Sequence, residues 1–383
     1  MRIAMLTTDG REMLRSYQEE EPIFGTAPDA LIKSFARQPE LELHVISCTQ
    51  QPVSSRQKLA PTVWFHSLVV PKFGWLRTGY QGCIRAVRKK LSEIQPDLVH
   101  GQGTERDCAI SAVFSRFPNV VTIHGNMVEL ARSANAWPGT FLWLGARLEN
   151  FTLKRTGGVF CNSRHTENLV RSRTQRCWLV PNPVREPFLT QAPNNLPRRK
   201  CILLNVGVIT PNKRQIEVLD MMQRLRQQGN DFECWFVGRA DANDAYATAF
   251  LRKIQAAEQA GFARYERHKS ASELIECFDQ ASALVHFPKK ESFGLVVAEA
   301  LARNLKLFGA RVGGIVDIAA GVQGAELFEP DDLSGLERSI AKWIRLGSPI
   351  STNAAELMRQ RYHPHPIARR HLEIYQEVLS SDS

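Results

Sequence analysis

The sequence predicts an α/β protein built as two halves, each a parallel sheet flanked by helices. Two observations carry that expectation. Short, apolar, β-rich runs alternate with helical patterns along all 383 residues, as strand–helix–strand units require. The alternation is interrupted once, near 183–200, where PVREPFLTQAPNNLPRRK is rich in Pro and Asn and has no period. That stretch reads as an interdomain linker. A chain of this length is also expected to bury two cores rather than one.

In the first half the strand candidates are RIAMLTT (2–8), LELHVISC (41–48), VWFHSLVV (63–70), PDLVHG (96–101), NVVTIHG (119–125), GGVFCNS (157–163) and CWLVPN (177–182). Helical patterns such as DALIKSFAR and YQGCIRAVRKKLSEI lie between them. The second series is KCILLNVGV (200–208), DFECWFVG (231–238), ARYERH (263–268), SALVHFP (282–288), LKLFGA (305–310) and AELFEP (325–330), with helices such as RQIEVLDMMQRLRQQ between. The last pattern, PIARRHLEIYQEVL (366–379), is an amphipathic helix expected to pack back on the first half.

Bulk properties narrow the function classes. No apolar run approaches the ~20 residues of a membrane span, and the N-terminus reads as a first strand rather than a signal peptide. Eight cysteines are scattered without a CxxC pair, which fits a reducing cytoplasm and predicts neither a disulfide frame nor a metal site. Residues 1–186 hold 24 Lys/Arg and 16 Asp/Glu; the remainder hold 25 and 23. The basic half fits either plain solvation or an anionic partner. Motifs for a P-loop, a dinucleotide fingerprint, a GxSxG nucleophile and an HExxH zinc site are all missing.

In parallel sheets, ligands sit beyond the carboxyl ends of the strands, so the strand-to-loop junctions matter most. Gly207-Val208-Ile209-Thr210-Pro211-Asn212-Lys213 ends a strand in glycine and offers a lysine six residues later, either a surface group or a phosphate ligand. Lys289-Lys290-Glu291-Ser292-Phe293-Gly294-Leu295 opens a helix that carries Glu299. With Ser292 as N-cap, the amides of Phe293, Gly294 and Leu295 would face an anion. Glu291 and Glu299 would accept hydrogen bonds from paired hydroxyls, or else be a surface glutamate and a helix carboxylate. Val237-Gly238-Arg239 and Gly313-Gly314 end further strands; in the first half, Gly25 and His124-Gly125 do the same.

Taken in order, these junctions resemble the family 4 retaining glycosyltransferases of GT-B fold. The pieces are the Gly25 loop, PDLVHG, VTIHG, VPNPV, VGVITPNK, WFVG, ALVHFPKKESFGLVVAEALA and GARVGGIVDI. The resemblance implies two Rossmann-like domains facing across a cleft. Residues 1–185, with the C-terminal helix 365–383, would bind the acceptor; residues 186–364 would bind the nucleotide sugar. Glu291 would contact the donor sugar and Glu299 the ribose. Lys213 and the amides of Phe293 to Leu295 would hold the diphosphate, and Gly207, Gly238 and Ser292 would also belong to the donor site. Arg267 and His268 would border the base, His124 would approach the transferred sugar, and Gly25 would leave room for phosphate or acceptor.

On the same resemblance, the donor is a UDP or GDP sugar and no metal or other cofactor is expected. The acceptor is a glycan, a lipid-linked glycan or a small molecule, as in polysaccharide biosynthesis. The sequence departs from the family at Val208, where an arginine is usual, which leaves Lys213 with Arg214, Lys289 or Lys290 as cations. A nucleotide-sugar epimerase and a non-catalytic sugar-nucleotide binder are the alternative readings. Nucleic-acid binding would explain the basic half but not the C-terminal motifs, so no nucleic-acid partner is expected. The first loop, 9–25, is expected over the acceptor side. Segment 71–90 mixes three aromatics with six Lys/Arg. Either its aromatics face the core or it docks peripherally on the inner face of a membrane.

Overall fold

A computed structural model describes residues 1–190, 200–349 and 353–381. The chain divides into two compact units, Met1–Pro183 with Pro364–Ser383, and Val184–His363. The second begins two residues before the boundary drawn from sequence.

The first unit holds β1 (Arg2–Leu6), β2 (Glu42–Thr49), β3 (Lys58–Ala60), β4 (Val63–Val69), β5 (Leu98–Gln102), β6 (Asn119–Ile123), β7 (Val159–Cys161) and β8 (Cys177–Leu179), in the order β3-β4-β2-β1-β5-β6-β7-β8. All neighbours pair in parallel except β3, which runs antiparallel to β4. Alternate residues of each strand feed opposite faces, as the pleat requires. Ile3, Met5, Leu43, Val45, Leu98 and Phe160 join one core with Phe35, Ile374 and Tyr375. Ala4, Leu6, Ile46, Cys48 and Val99 join the other with Cys83, Ile84 and Leu91. The helix Pro364–Ser381 supplies Tyr375 and His371 to the first of these cores.

The second unit holds β9 (Ile202–Val206), β10 (Glu233–Val237), β11 (Ala263–Glu266), β12 (Ala283–His286), β13 (Lys306–Ala310) and β14 (Ala325–Phe328), all parallel, in the order β11-β10-β9-β12-β13-β14. Leu204, Trp235, Val237, Leu284 and Leu307 point to one core. Leu203, Phe236, Val285 and Phe308 point to the other.

Both sheets are doubly wound, so each has one place where strand order turns outward in both directions: between β1 and β5, and between β9 and β12. Crevices form at such points. The expected linker is partly structured. Glu186–Thr190 is a short helix whose Phe188 and Leu189 are buried, so its apolar pair outweighs the flanking Pro and Asn. Residues 191–199 of that linker lie outside the described residues.

Candidate functional site

The switch point of the second unit gathers most of the residues singled out from sequence. β9 and β12 pair side by side through Leu203 and Leu204. The loops that leave their carboxyl ends are clipped together by Asn212. Its carbonyl accepts from the Lys289 amide at 2.8 Å. Its side chain accepts from the Lys290 amide at 3.1 Å and donates to the Lys290 carbonyl at 3.0 Å. This clip places Lys213 beside Glu291: the two side chains form an ion pair. His286, the last residue of β12, sits 3.2 Å from the same carboxylate oxygen.

Burial works to raise the Glu291 carboxyl. The His286 hydrogen bond and the Lys213 charge outweigh it and hold it at about 2. His286 is itself buried and pushed below its ordinary value. The arrangement is a carboxylate ionised at any ordinary pH, fixed by a neutral imidazole, with one ammonium at its edge. That ammonium can exchange the carboxylate for a phosphate oxygen, because both are hard anionic acceptors.

The helix after Glu291 starts later than the sequence suggested. It runs Leu295–Ala302, and its N-cap is Gly294 at φ 99°, not Ser292. Phe293 decides this. Its ring is buried and meets Tyr362 edge-on at 5.5 Å, so the chain turns after it in a left-handed conformation that glycine tolerates. Glu299 lies one turn into the helix, 3% exposed, with both oxygens taken by Arg185 at 2.7 and 3.0 Å. Burial raises its carboxyl despite that partner. Arg185 was not singled out from sequence: the two are 114 residues apart.

Two glycines serve backbone contacts here. A Cβ on Gly238 would fall 2.0 Å from the Gly207 carbonyl, so these loops cross backbone to backbone. A Cβ on Gly313 would fall 1.5 Å from the Glu291 carbonyl, so the Gly313-Gly314 turn supports the Glu291 loop from below. Val208 is 55% exposed. Of the cations offered in place of an arginine there, Arg214 is engaged elsewhere. Its guanidinium donates to the Pro330 carbonyl at 2.5 Å and lies over Phe287. The Lys289 side chain is exposed and Lys290 half-buried. Arg267 and His268 are exposed just after β11, two strands from β9.

In the first unit His124 follows β6. Its Nε2 donates to Gln102 Oε1 at 2.9 Å, and burial pushes it down to about 4, so the ring is neutral. Behind Gln102, His100 bonds Tyr375 Oη at 2.5 Å and Thr122 Oγ1 at 2.7 Å. Gly25 is the N-cap of the helix Thr26–Phe35 with an ordinary negative φ, and a Cβ there would make only normal contact with Pro28. The first loop is anchored by a fully buried pair, Arg11 with Asp9, backed by the carbonyls of Glu19 and Ser54. In segment 71–90, Trp75 and Tyr80 are buried while Phe73 is 82% exposed, beside an open cavity of about 430 Å³ rimmed by Arg85. No spacing in the sequence pointed to Cys48, Cys83 and Asp107, but the fold buries the three with ligand atoms within 4.8 Å of one another. The hydrogen bond with Cys83, then burial and the Asp107 charge, raise the Cys48 thiol well above its ordinary value.

Two doubly wound, mostly parallel sheets are the architecture of GT-B proteins. Solved structures agree. The chain superposes on sucrose-phosphate synthase from Thermosynechococcus elongatus with TM-score 0.78 at 16% identity, covering 100% of both chains. Anabaena Alr3699/HepE in complex with UDP-glucose gives 0.72 at 16%, again over 100% of both. The lipopolysaccharide outer core galactosyltransferase WaaB in its apo form gives 0.69 at 14%, over 100% of both. Residues 29–186 match the description Glycosyltransferase Family 4, and residues 189–361 match Glycosyl transferases group 1. The chain belongs to glycosyltransferase family 4. A curated relative, N-acetyl-alpha-D-glucosaminyl L-malate synthase of Bacillus anthracis, is 27% identical over 112 residues; the match spans 28% of this chain and only 29% of that protein.

Proposed function

We propose that this chain is a retaining glycosyltransferase that moves a sugar from a nucleotide-diphosphate sugar, UDP-linked by preference, to a hydroxyl of a glycan, lipid-linked or small-molecule acceptor. The observation that carries the reading is the Lys213–Glu291–His286 cluster at the β9/β12 switch point in a chain of this family. A structural neighbour was solved with UDP-glucose, which supports a UDP donor.

In this reading Glu291, permanently ionised, accepts hydrogen bonds from donor-sugar hydroxyls. Lys213 leaves Glu291 for the diphosphate, and the free amides near Gly294 and Leu295 add the positive pole of the helix. The bond between the anomeric carbon and the diphosphate oxygen breaks, and the electron pair leaves with the nucleotide. The acceptor oxygen bonds the same face of that carbon, and its proton passes to a diphosphate oxygen. Lysine and helix pole stabilise the charge that develops on the leaving group, as preorganised electrostatics do elsewhere. Metal independence is part of this proposal. Glu299, held by Arg185, would meet the ribose; Arg267 and His268 would border the base; His124 and Gly25 would serve the sugar and acceptor from the first unit.

The reading puts the enzyme in the cytoplasm; among the described residues no helix is long and apolar enough to cross a membrane. Peripheral contact through exposed Phe73 and the cations around it belongs to the proposal. Co-sedimentation with vesicles containing anionic lipid tests it.

The test of function is nucleotide release from a panel of UDP- and GDP-sugars, with water, L-malate and simple sugars as acceptors, followed by NMR of the product. An α-linked product from an α-linked donor supports the proposal. An epimerised nucleotide sugar formed without acceptor contradicts it.

A further inference from the structure

Three side chains that no sequence spacing joins converge at one end of the first sheet. Cys48 is next to last in β2, Cys83 lies in the first turn of the helix Gln81–Ile94, and Asp107 opens the helix Asp107–Val113 that follows β5. β2, β1 and β5 are neighbours, so the cluster sits at the carboxyl ends of parallel strands, where such sheets hold ligands. Cys48 is 6%, Cys83 0% and Asp107 5% exposed. Their sulfurs and a carboxylate oxygen all lie within 4.8 Å of one another.

The contacts these groups make within the protein are weak ones. Cys83 Sγ donates to the Gly74 carbonyl at 4.0 Å. Cys48 and Cys83 are hydrogen-bonded to each other, and Asp107 accepts from the Cys48 thiol and from its own amide. A thiol is a poor donor, and an ionised carboxylate has about four lone-pair sites to fill. Among the described residues no ion pair reaches Asp107. Arg106 acts on it from farther off, its guanidinium 4.9 Å from the Trp75 ring centroid. Two buried thiols capping a buried carboxylate therefore leave most of its desolvation cost standing. A divalent cation would remove that cost, and thiolate is the ligand that selects zinc over magnesium or calcium.

We propose that Cys48, Cys83 and Asp107 form a structural site for a thiophilic divalent cation of the zinc class, which ties the start of the Gln81–Ile94 helix to the ends of β2 and β5. Tetrahedral zinc holds sulfur and oxygen ligands about 3.5–3.8 Å apart, so the cluster closes by about 1 Å on binding. Two thiol protons leave to solvent as the ion enters. Two thiolates, one carboxylate and a divalent cation leave one negative charge, which nearby Arg106 offsets. Water takes the fourth position unless Cys108, the next residue along and also buried, turns its thiol inward from Thr8 Oγ1, 3.9 Å away. The Cys83 side is held ready: a Cβ on Gly82 would fall 2.6 Å from Gly74 Cα, so the chain before the helix is packed backbone to backbone. The ion has no part in the transfer chemistry proposed for the second unit, and the site stands or falls independently of that reading.

The full chain, purified from zinc-supplemented cells with a phosphine reductant, is assayed for metal by mass spectrometry. About one zinc per chain is expected. Metal-depleted protein is then titrated with Cd2+, read by the thiolate-to-cadmium charge-transfer band, and with Zn2+, read by the thermal midpoint. The band should saturate near one equivalent, and one equivalent of zinc should raise the midpoint by about 5 °C. Cys48→Ser with Cys83→Ser should abolish the band and the shift, Asp107→Asn should weaken binding tenfold or more, and Cys201→Ser should change neither. Zinc X-ray absorption of the wild type carries the test should the variants fail to fold. Two sulfurs, or three if Cys108 joins, with the remaining ligands oxygen support the proposal. A shell without sulfur, a chain that takes up no zinc or cadmium, or a band that survives in the double variant overturns it.

Discussion

The two sheets solve the same topological problem with a different mix of ionic and neutral groups. At the β9/β12 switch point the polar groups are ions in pairs: Lys213 with Glu291, Arg185 with Glu299. At the β1/β5 switch point ion pairs also occur, Arg11 with Asp9 and Glu149 with Arg173, but they stand beside a group of histidines and a carboxyl that burial drives toward neutrality. His100, His124 and His371 are all pushed down by burial, the last two to about 4, and Glu105 is pushed up to about 7. Fixed charges suit a ligand that is itself charged, since Lys213 can trade one anion for another. Neutral, proton-adjustable groups suit hydroxyls, which need directed hydrogen bonds and gain little from a field. Under the proposed function, the ionic cluster would serve the diphosphate of the donor, and the neutral groups of the first unit would suit a hydroxyl.

The sharpest break of this comparison is Lys213→Ala. If Lys213 is the cation that meets the leaving diphosphate, kcat/KM for nucleotide release should fall about 10³-fold, a loss of about 4 kcal/mol. A loss below tenfold would move the phosphate charge elsewhere, to Lys289 or the helix amides. Next is Arg185→Ala, which strands a carboxylate only 3% exposed. Breaking such a pair costs about 3–5 kcal/mol, read as a lower denaturant midpoint for the second unit. The double variant Arg185→Met with Glu299→Leu should recover much of it.

The pH dependence of stability sharpens the contrast between the units. A histidine whose folded pKa lies below its unfolded value stabilises fully above pH 6.5 and loses that contribution as pH falls toward the folded pKa. His66, His124 and His371, each held near 4, therefore weaken the first unit between pH 6.5 and 4, by roughly 3 kcal/mol apiece and less for the partly solvated His66. Glu105, held near 7, returns part of this as pH falls from about 7 to 4.5. His286, also pushed down by burial, acts in the same direction in the second unit. Glu291, at about 2, keeps its contribution to the second unit until pH falls below about 4.5. Hydrogen exchange at pH 7 and 5 should show β5 and β6 amides losing protection before those of β9 and β12. Equal losses would erase the distinction. The smallest expected effect concerns metal: EDTA should leave the initial rate of nucleotide release within twofold, and a tenfold drop would refute metal independence.

Much of this was legible in the sequence, and the exceptions have physical causes. Thirteen of the described strands fall within runs read from the sequence, most of them apolar, the pattern that a sheet covered on both faces imposes. β3 was missed because Lys58–Ala60 is a three-residue antiparallel edge strand with no apolar run. Ser292 looked like an N-cap because serine before a helix usually is one. The core demand of Phe293 shifted the start to Gly294. Lys213 and Glu291 were legible as separate residues, yet their pairing depends on β9 lying beside β12, which no local pattern encodes. Arg185, His286 and Glu105 went unremarked for the same reason: each gains meaning from a partner brought by strand order. For Glu105, whose carboxyl lies against both, the available signal was two glycines ending adjacent strands, Gly103 and Gly125, which together imply that something occupies the space between.

The central claim is that a nucleotide diphosphate is held at the β9/β12 switch point by Lys213. Calorimetric titration of UDP into wild type and Lys213→Ala tests it most directly. The account predicts binding by the wild type and at least thirtyfold weaker binding by the variant, about 2 kcal/mol. Equal affinity in the two proteins, or no affinity for UDP or GDP in the wild type, would contradict it.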